Sequence, residues 1–358
     1  MTRSARIAHL GLGAFARSHQ AWYTQVASDD WGIVALRGRV AQALSDQNWR
    51  YGLLVRGPDS DDATVIDSVI GFDAGAISNP EVSVVTLTVT EAGYLRGAQP
   101  PTAIATGLRE RRDGGAGSIT IVPCDNVPSN GGAIRDSVLA ECEPELARWV
   151  GENVSFVSTM VDRITPAATS TDVEVAERLL GWLDAIPVVT EPFTEWVLQG
   201  EFPAGRPEWE KAGAQFVDDV EPYEQRKLWM LNAAHSLLAY RGLELGHQTV
   251  FDAWSDSMIA AEVEQLWSEA RPVLTLGGAE LDAWLAALRI RWQNPRIEHR
   301  LEQIASGGEQ KIPARIEAVI DKRREAGLAP GAAELETVAA WERYHSGTES
   351  KRHGRVKT

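Results

Sequence analysis

The chain of 358 residues carries 50 acidic against 35 basic side chains, a formal net charge of -15, with 44% hydrophobic and 24% charged residues. That is a globular composition, too long for one ordinary core, so two domains are expected. It lacks the basic face of a nucleic-acid binder and any run of 18 apolar residues that could span a membrane, and its two cysteines, Cys124 and Cys142, are too few for a disulfide framework or a cysteine-based zinc site.

The opening "MTRSARIAHLGLG" runs straight into a strand without the apolar h-region of a signal peptide, which points to a cytoplasmic protein. Strand candidates follow at 6–12, 32–38, 51–57, 82–90, 118–124 and 154–161. Several are apolar throughout, as strands covered on both faces must be. Helical stretches at 15–27, 101–113 and 131–149 alternate with them, and 64–75 reads as an extra hairpin piece. This alternation predicts a Rossmann-like, doubly wound, mostly parallel sheet over residues 1–194. After "IPVVTEPF" (186–193) the periodicity becomes helical, so an all-α domain is expected over 195–358, ending in a frayed basic tail, "KRHGRVKT". Most of the 13 tryptophans lie in the second half, where they suit helix–helix contacts.

Within "IAHLGLGAFARSHQAWY" (7–23), Gly11, Gly13 and Ala16 fit the dinucleotide fingerprint. The first glycine permits the tight turn, the second lets a pyrophosphate approach, and Ala16 lets the helix pack on the sheet. Gly11, Gly13, Ala14 and Phe15 are therefore candidate cofactor residues, facing the phosphates with the helix N-terminus. The acidic residue usually found at the end of the second strand is replaced by "ALRGRV", with Arg37 and Arg39. Arginine there can pair with a 2′-phosphate or stack on adenine, so NAD and NADP both stay open.

"KLWMLNAAHS" (227–236) places three polar groups in an apolar helix, where each resists desolvation. At about 100° per residue, with Lys227 at 0°, Glu224 falls near 60°, His235 near 80° and Asn232 near 140°. They share one side of the cylinder. Hydride transfer from an alcohol carbon needs a base for the hydroxyl proton and donors for the developing oxyanion. A lysine with a depressed pKa can be that base, and amides or a neutral histidine can be the donors.

A second polar set follows the sheet strands at their C-terminal ends, where ligands bind in this architecture. "IVPCDNVPSNGG" brings Asp125 and Asn126, and "VSTMVDRITP" brings Asp162 and Arg163. Asn126 is a candidate second amide donor. Asp162 and Arg163 read as an ion pair, structural as readily as functional, with Arg163 a candidate substrate-binding residue, and Asn130-Gly131 reads as turn chemistry.

These stretches, with "EFPAGRPEWEKAGAQFVDDVEPYEQRKLWMLNAAHSLLAY" and "NPRIEHRLEQIASGGEQKIPARI", resemble the mannitol dehydrogenase family of polyol-specific long-chain dehydrogenases, in order from about residue 6 to about 345. The resemblance implies metal-independent, NAD(P)-dependent interconversion of a secondary alcohol and a ketone on an open-chain sugar derivative: a polyol, a ketose or a sugar acid. It implies Lys227 as general base, Asn126 and Asn232 as the oxyanion pocket, and His235 as the group that orients the substrate oxygen. Glu224 would lie on the proton exit path and Asp162 beside the nicotinamide. The chain ends soon after "AAWERYHSG", where relatives continue through further helices, and "GGEQK" lacks their aspartate before the glycine. Arg300 and Lys311 are candidates to pair with a substrate carboxylate, an alternative to placement on the surface. A nucleotide-binding sensor without catalysis is the alternative reading.

Overall fold

The computed structural model describes residues 3–27, 29–38 and 40–355, with side chains as far as Ser346. The expectations for Arg39 and for the side chains of the basic segment 351–358 lie outside these residues. The chain divides into two compact units, Met1–Val220 and Glu221–Thr358.

Among the described residues of the first unit, twelve strands form three sheets. They are β1 (Ser4–Leu10), β2 (Trp31–Arg37), β3 (Tyr51–Arg56), β4 (Asp61–Ile66), β5 (Val69–Phe72), β6 (Val84–Leu87), β7 (Ile119–Pro123), β8 (Val154–Phe156), β9 (Ser158–Asp162), β10 (Val188–Thr190), β11 (Glu195–Gln199) and β12 (Gln215–Phe216). The main sheet has the order β5-β2-β1-β6-β7-β8, with every neighbouring pair parallel. This is the doubly wound order with its switch point between β1 and β6, where the chain leaves in opposite directions from adjacent strands. Burial on both faces explains the run of apolar residues in β6 and β7, all of them buried.

Two expectations are corrected. The segment 64–75 is not one hairpin piece. β4 pairs antiparallel with β3, and β5 joins the main sheet beside β2. The strand read at 51–57 therefore leaves the main sheet and pairs with β10 instead. The boundary expected at 194/195 falls after Val220, because β11 pairs antiparallel with β9 along its whole length and β12 adds to β11. Trp196 and Trp209 pack together at 4.5 Å between ring centroids in the core of this same unit.

The second unit is helical, with its longest helices at Ala233–Glu244, Ser257–Ala270, Gly278–Trp292 and Ala332–Arg355. Trp254, Trp267 and Trp292 meet in one aromatic cluster with centroids 5.3 to 5.9 Å apart. Each large ring fills the space between helices that smaller side chains would leave open. Among the described residues no helix is long and apolar enough to cross a membrane.

Candidate active site

The glycine turn sits at the end of β1, at the switch point. Gly11 has φ of +97°, and a Cβ there would stand 2.2 Å from the Thr88 carbonyl oxygen, so only glycine fits. Gly13 is exposed, and a Cβ on it would meet only the Gly11 oxygen at 3.8 Å, which leaves room for a ligand to approach the backbone. The helix Ala14–Ser18 starts there without a side-chain cap, so its first N–H groups keep their donors for an anion. Ala16 is buried, as close helix–sheet packing needs. Arg37 ends β2, exposed and opposite Leu10 of β1. The residues present thus fit a dinucleotide: an uncapped helix start, an open glycine face and a cation where the second strand ends.

Asp125 and Asn126 follow β7. Asp125 is held on both oxygens, by the Val127 amide at 3.3 Å and by the Tyr94 hydroxyl. Burial and the Asp125 charge push the Tyr94 hydroxyl far above its ordinary range, so it stays a donor. Asn126 is exposed on the same loop. The loop is anchored by Asn130, which is more than turn chemistry. Its amide donates to the Thr159 carbonyl at 3.0 Å and accepts from the Thr159 amide at 2.9 Å. Thr159 in turn donates from its hydroxyl to the Pro123 carbonyl at 2.6 Å. Asn130 therefore ties the loop to both β7 and β9.

Asp162 closes β9, buried beside Glu195 in the strand register. Arg163 is also buried, and its guanidinium donates to the Ser18 and Glu191 carbonyls and lies over the Trp22 ring at 4.9 Å. Burial lowers its pKa to about 10. It braces the nucleotide-binding helices against the segment after β10.

In the second unit, Lys227 to Asn232 form a π-helical turn between two α-helical segments, Glu221–Arg226 and Ala233–Glu244. The expected uniform α-helix is interrupted at the residues singled out for chemistry, as π-turns often are. Such a turn rotates less per residue, roughly 85°, so Asn232 comes to about 65° from Lys227 and His235 to within about 10° of it. The polar groups are better aligned than a uniform helix allows. Carbonyls of the widened turn are claimed by side chains: Met230 by the Trp267 indole at 3.0 Å and Asn232 by Arg315 at 3.2 Å.

His235 is buried, packs at a tilt against Trp292 with centroids 5.4 Å apart and meets His299 edge-on at 4.9 Å. Its Nε2 has no hydrogen-bond partner among the described residues. Burial first, then the charges of His299, Arg315, Arg291 and Lys227, hold it well below the ordinary imidazole range, so it is neutral at pH 7. A buried neutral ring with an unmatched nitrogen is suited to a hydrogen bond with a substrate oxygen.

Glu224 lies one turn before Lys227, half-buried. Arg300 is exposed and binds the Gln248 amide oxygen at 3.2 Å and Glu298 at 3.5 Å. Lys311 donates to the Ile304 carbonyl at 3.0 Å and to that of Ser306. The residues that do neighbour His235 include three that the sequence reading missed: Arg291, His299 and Arg315. Arg315 sits in a second π-turn, Pro313–Glu317, opened by a proline that cannot donate to a regular helix. It grips both the Asn232 carbonyl and the Ser236 hydroxyl at 3.2 Å. "KIPARI" lay inside a quoted stretch, but nothing in its local spacing links it to residues some 80 positions earlier.

A doubly wound nucleotide sheet and a helical unit presenting an amine, an amide and a neutral imidazole on one helix face define a dinucleotide-dependent dehydrogenase. The mannitol dehydrogenase Rossmann domain matches residues 5–211, and the mannitol dehydrogenase C-terminal domain matches 219–355. D-mannonate oxidoreductase of Escherichia coli (strain K12) is 36% identical, over 97% of this chain and 81% of its own. Mannitol 2-dehydrogenase of Cereibacter sphaeroides is 33% identical, over 96% and 81%. The solved Pseudomonas fluorescens mannitol 2-dehydrogenase, a ternary complex with NAD and D-mannitol, superposes with a TM-score of 0.83 at 33% identity, covering 96% of this chain and 79% of that one. The chain belongs to the mannitol dehydrogenase family.

Proposed function

We propose that this protein is an NAD-dependent oxidoreductase that interconverts a secondary alcohol and a ketone on an open-chain sugar derivative, with a sugar acid of the mannonate/fructuronate type as its substrate. The observation that carries the reading is the π-turn that aligns Lys227 with the unpartnered Nε2 of neutral His235. The bound nicotinamide supplies the hydride acceptor or donor. Lys227 removes the hydroxyl proton, His235 and Asn232 hold the oxygen as charge develops, and Asn126 adds an amide donor. Glu224 takes the proton onward from Lys227. Glycines 11 and 13, with Ala14 and Phe15, cradle the pyrophosphate. Arg37 would hold the adenosine ribose or a 2′-phosphate on it, which leaves NADP as a second cofactor, while Asp125 and Asp162 would hold the nicotinamide end.

The charge around His235 supports an acid over a neutral polyol. The groups that depress its pKa, His299, Arg315, Arg291 and Lys227, are all potential cations. An anion in this field is stabilised, whereas a polyol gains only hydrogen bonds. Arg315 and Arg291 join Arg300 and Lys311 as candidates to pair with the carboxylate; Arg315, Arg300 and Lys311 each also bind a neighbouring protein group.

The test is steady-state turnover of mannonate, fructuronate, mannitol, arabinitol and fructose with both cofactors. A kcat/KM at least about tenfold higher for the acids supports the reading. Preference for neutral polyols overturns the acid assignment, and turnover of none of them, with NADH still bound, favours the non-catalytic sensor.

A further inference from the structure

Three polar side chains line the switch point where apolar residues would be expected between adjacent parallel strands. His9 on β1 faces Thr86 at the heart of β6, both buried, and Thr88 follows just beyond that strand. His9 Nδ1 lies 2.7 Å from the Thr86 hydroxyl and its Nε2 lies 3.3 Å from the Thr88 hydroxyl. Thr88 donates its own proton to the Gly11 carbonyl at 2.6 Å. That same carbonyl accepts the Gly13 amide at 2.6 Å.

The directions of these bonds are fixed by counting protons. Thr88 has one hydroxyl proton and gives it to Gly11, so it accepts from Nε2–H of His9. His9 is then neutral with a bare Nδ1, which accepts from the Thr86 hydroxyl. The chain Thr86 to His9 to Thr88 to Gly11 is satisfied in one tautomer only. Burial agrees, driving the His9 pKa down to about 4 against the opposing pull of the Gly11 backbone.

We infer that His9 is a positioning residue for the cofactor: through Thr88 it fixes the Gly11 carbonyl, and with it the Gly11–Gly13 turn and the uncapped start of the helix Ala14–Ser18. Two buried polar groups, His9 and Thr86, with half-buried Thr88 beside them, are a costly way to fill a strand contact. Their common endpoint is the carbonyl on which the glycine turn closes. The inference rests on the reading that this turn binds the dinucleotide.

The experiment is a fluorescence titration of NADH into the full-length protein, with melting temperature and amide hydrogen exchange of residues 11–16 measured on each protein without nucleotide. Thr88→Val keeps the shape and removes the hydroxyl, and is expected to raise the NADH Kd about fivefold or more, the worth of a lost bond to the Gly11 carbonyl with the buried His9 Nε2–H left without its acceptor. Thr88→Ser is expected to stay near wild type. His9→Leu should match Thr88→Val, His9→Gln should recover most of the loss because its amide can donate to Thr88, and the double variant His9→Leu/Thr88→Val should lose no more than either alone. Hydrogen exchange in the glycine turn should quicken in Thr88→Val and His9→Leu, and the kinetic loss should appear in the KM for NADH more than in kcat.

Thr88→Val with wild-type Kd and wild-type exchange, or additive losses in the double variant, overturns the inference. Should His9→Leu fail to fold, Thr88→Val decides alone. Failure of the wild-type protein to bind NADH would instead overturn the nucleotide reading itself, and this inference with it.

Discussion

At the scale of single residues, charge decides roles. His235 is neutral because burial disfavours its charged form, and the neighbouring His299, Arg315, Arg291 and Lys227 add to that. It can therefore share a hydrogen bond with a substrate oxygen while the field around it welcomes an anion. Arg315 is the sharpest probe of that field, since it grips the Asn232 carbonyl and the Ser236 hydroxyl from a distant part of the chain. Replacing Arg315 with Gln is expected to lower kcat/KM for sugar acids about 10- to 100-fold, the worth of a charge-assisted bond, and that for neutral polyols much less. Equal losses on both classes would mean that Arg315 only braces the π-turn. The amine, amide and imidazole were legible from their spacing in "KLWMLNAAHS". Arg315, Arg291 and His299 were not, because residues joined only by tertiary packing leave no local pattern.

At the scale of elements, the π-turn Lys227–Asn232 is the feature that a regular helical period conceals. A reading at about 100° per residue placed Lys227 and His235 about 80° apart. The widened turn removes most of that angle, and side chains from other helices, Trp267 and Arg315, hold the carbonyls involved. Sequence periodicity cannot register such a turn, because the polar residues stay on one side under either geometry. Inserting one alanine between Asn232 and Ala233 is expected to leave the π-turn in place and turn Lys227 by about 100° from His235. Turnover should then fall at least about 10²-fold, with helical content retained by circular dichroism. An insertion variant with wild-type kcat would show that the alignment of Lys227 with His235 does not set the rate. A like limit explains the strand read at 51–57. Its apolar run announced a buried strand correctly, but only tertiary pairing assigns it to β4 and β10 while the shorter β5 completes the main sheet.

For the molecule as a whole, the dinucleotide sheet and the helical second unit were both legible, the first from strand–helix alternation and the second from period. The boundary was not, since β11 and β12 follow the last predicted strand yet belong with the first unit through pairing to β9. Buried neutral histidines give the protein a characteristic response to acid. His9 and His235 both have folded pKa values below their unfolded value of 6.5, His9 near 4. Such groups stabilise the fold above pH 6.5, and the contribution is lost as pH falls towards 4, because the unfolded chain takes up the protons first. For His9 the loss is on the order of 3 kcal/mol across that window. Urea midpoints between pH 7 and 4 should fall steeply in the wild type and less in His9→Gln; parallel curves would contradict the assignment. The central claim is that Lys227 takes the alcohol proton. Single-turnover hydride transfer, followed by nicotinamide absorbance at saturating substrate and cofactor, tests it most directly. Lys227→Ala is expected to slow that step about 10²- to 10⁴-fold while NADH binding persists, and transfer at the wild-type rate in this variant would contradict the account.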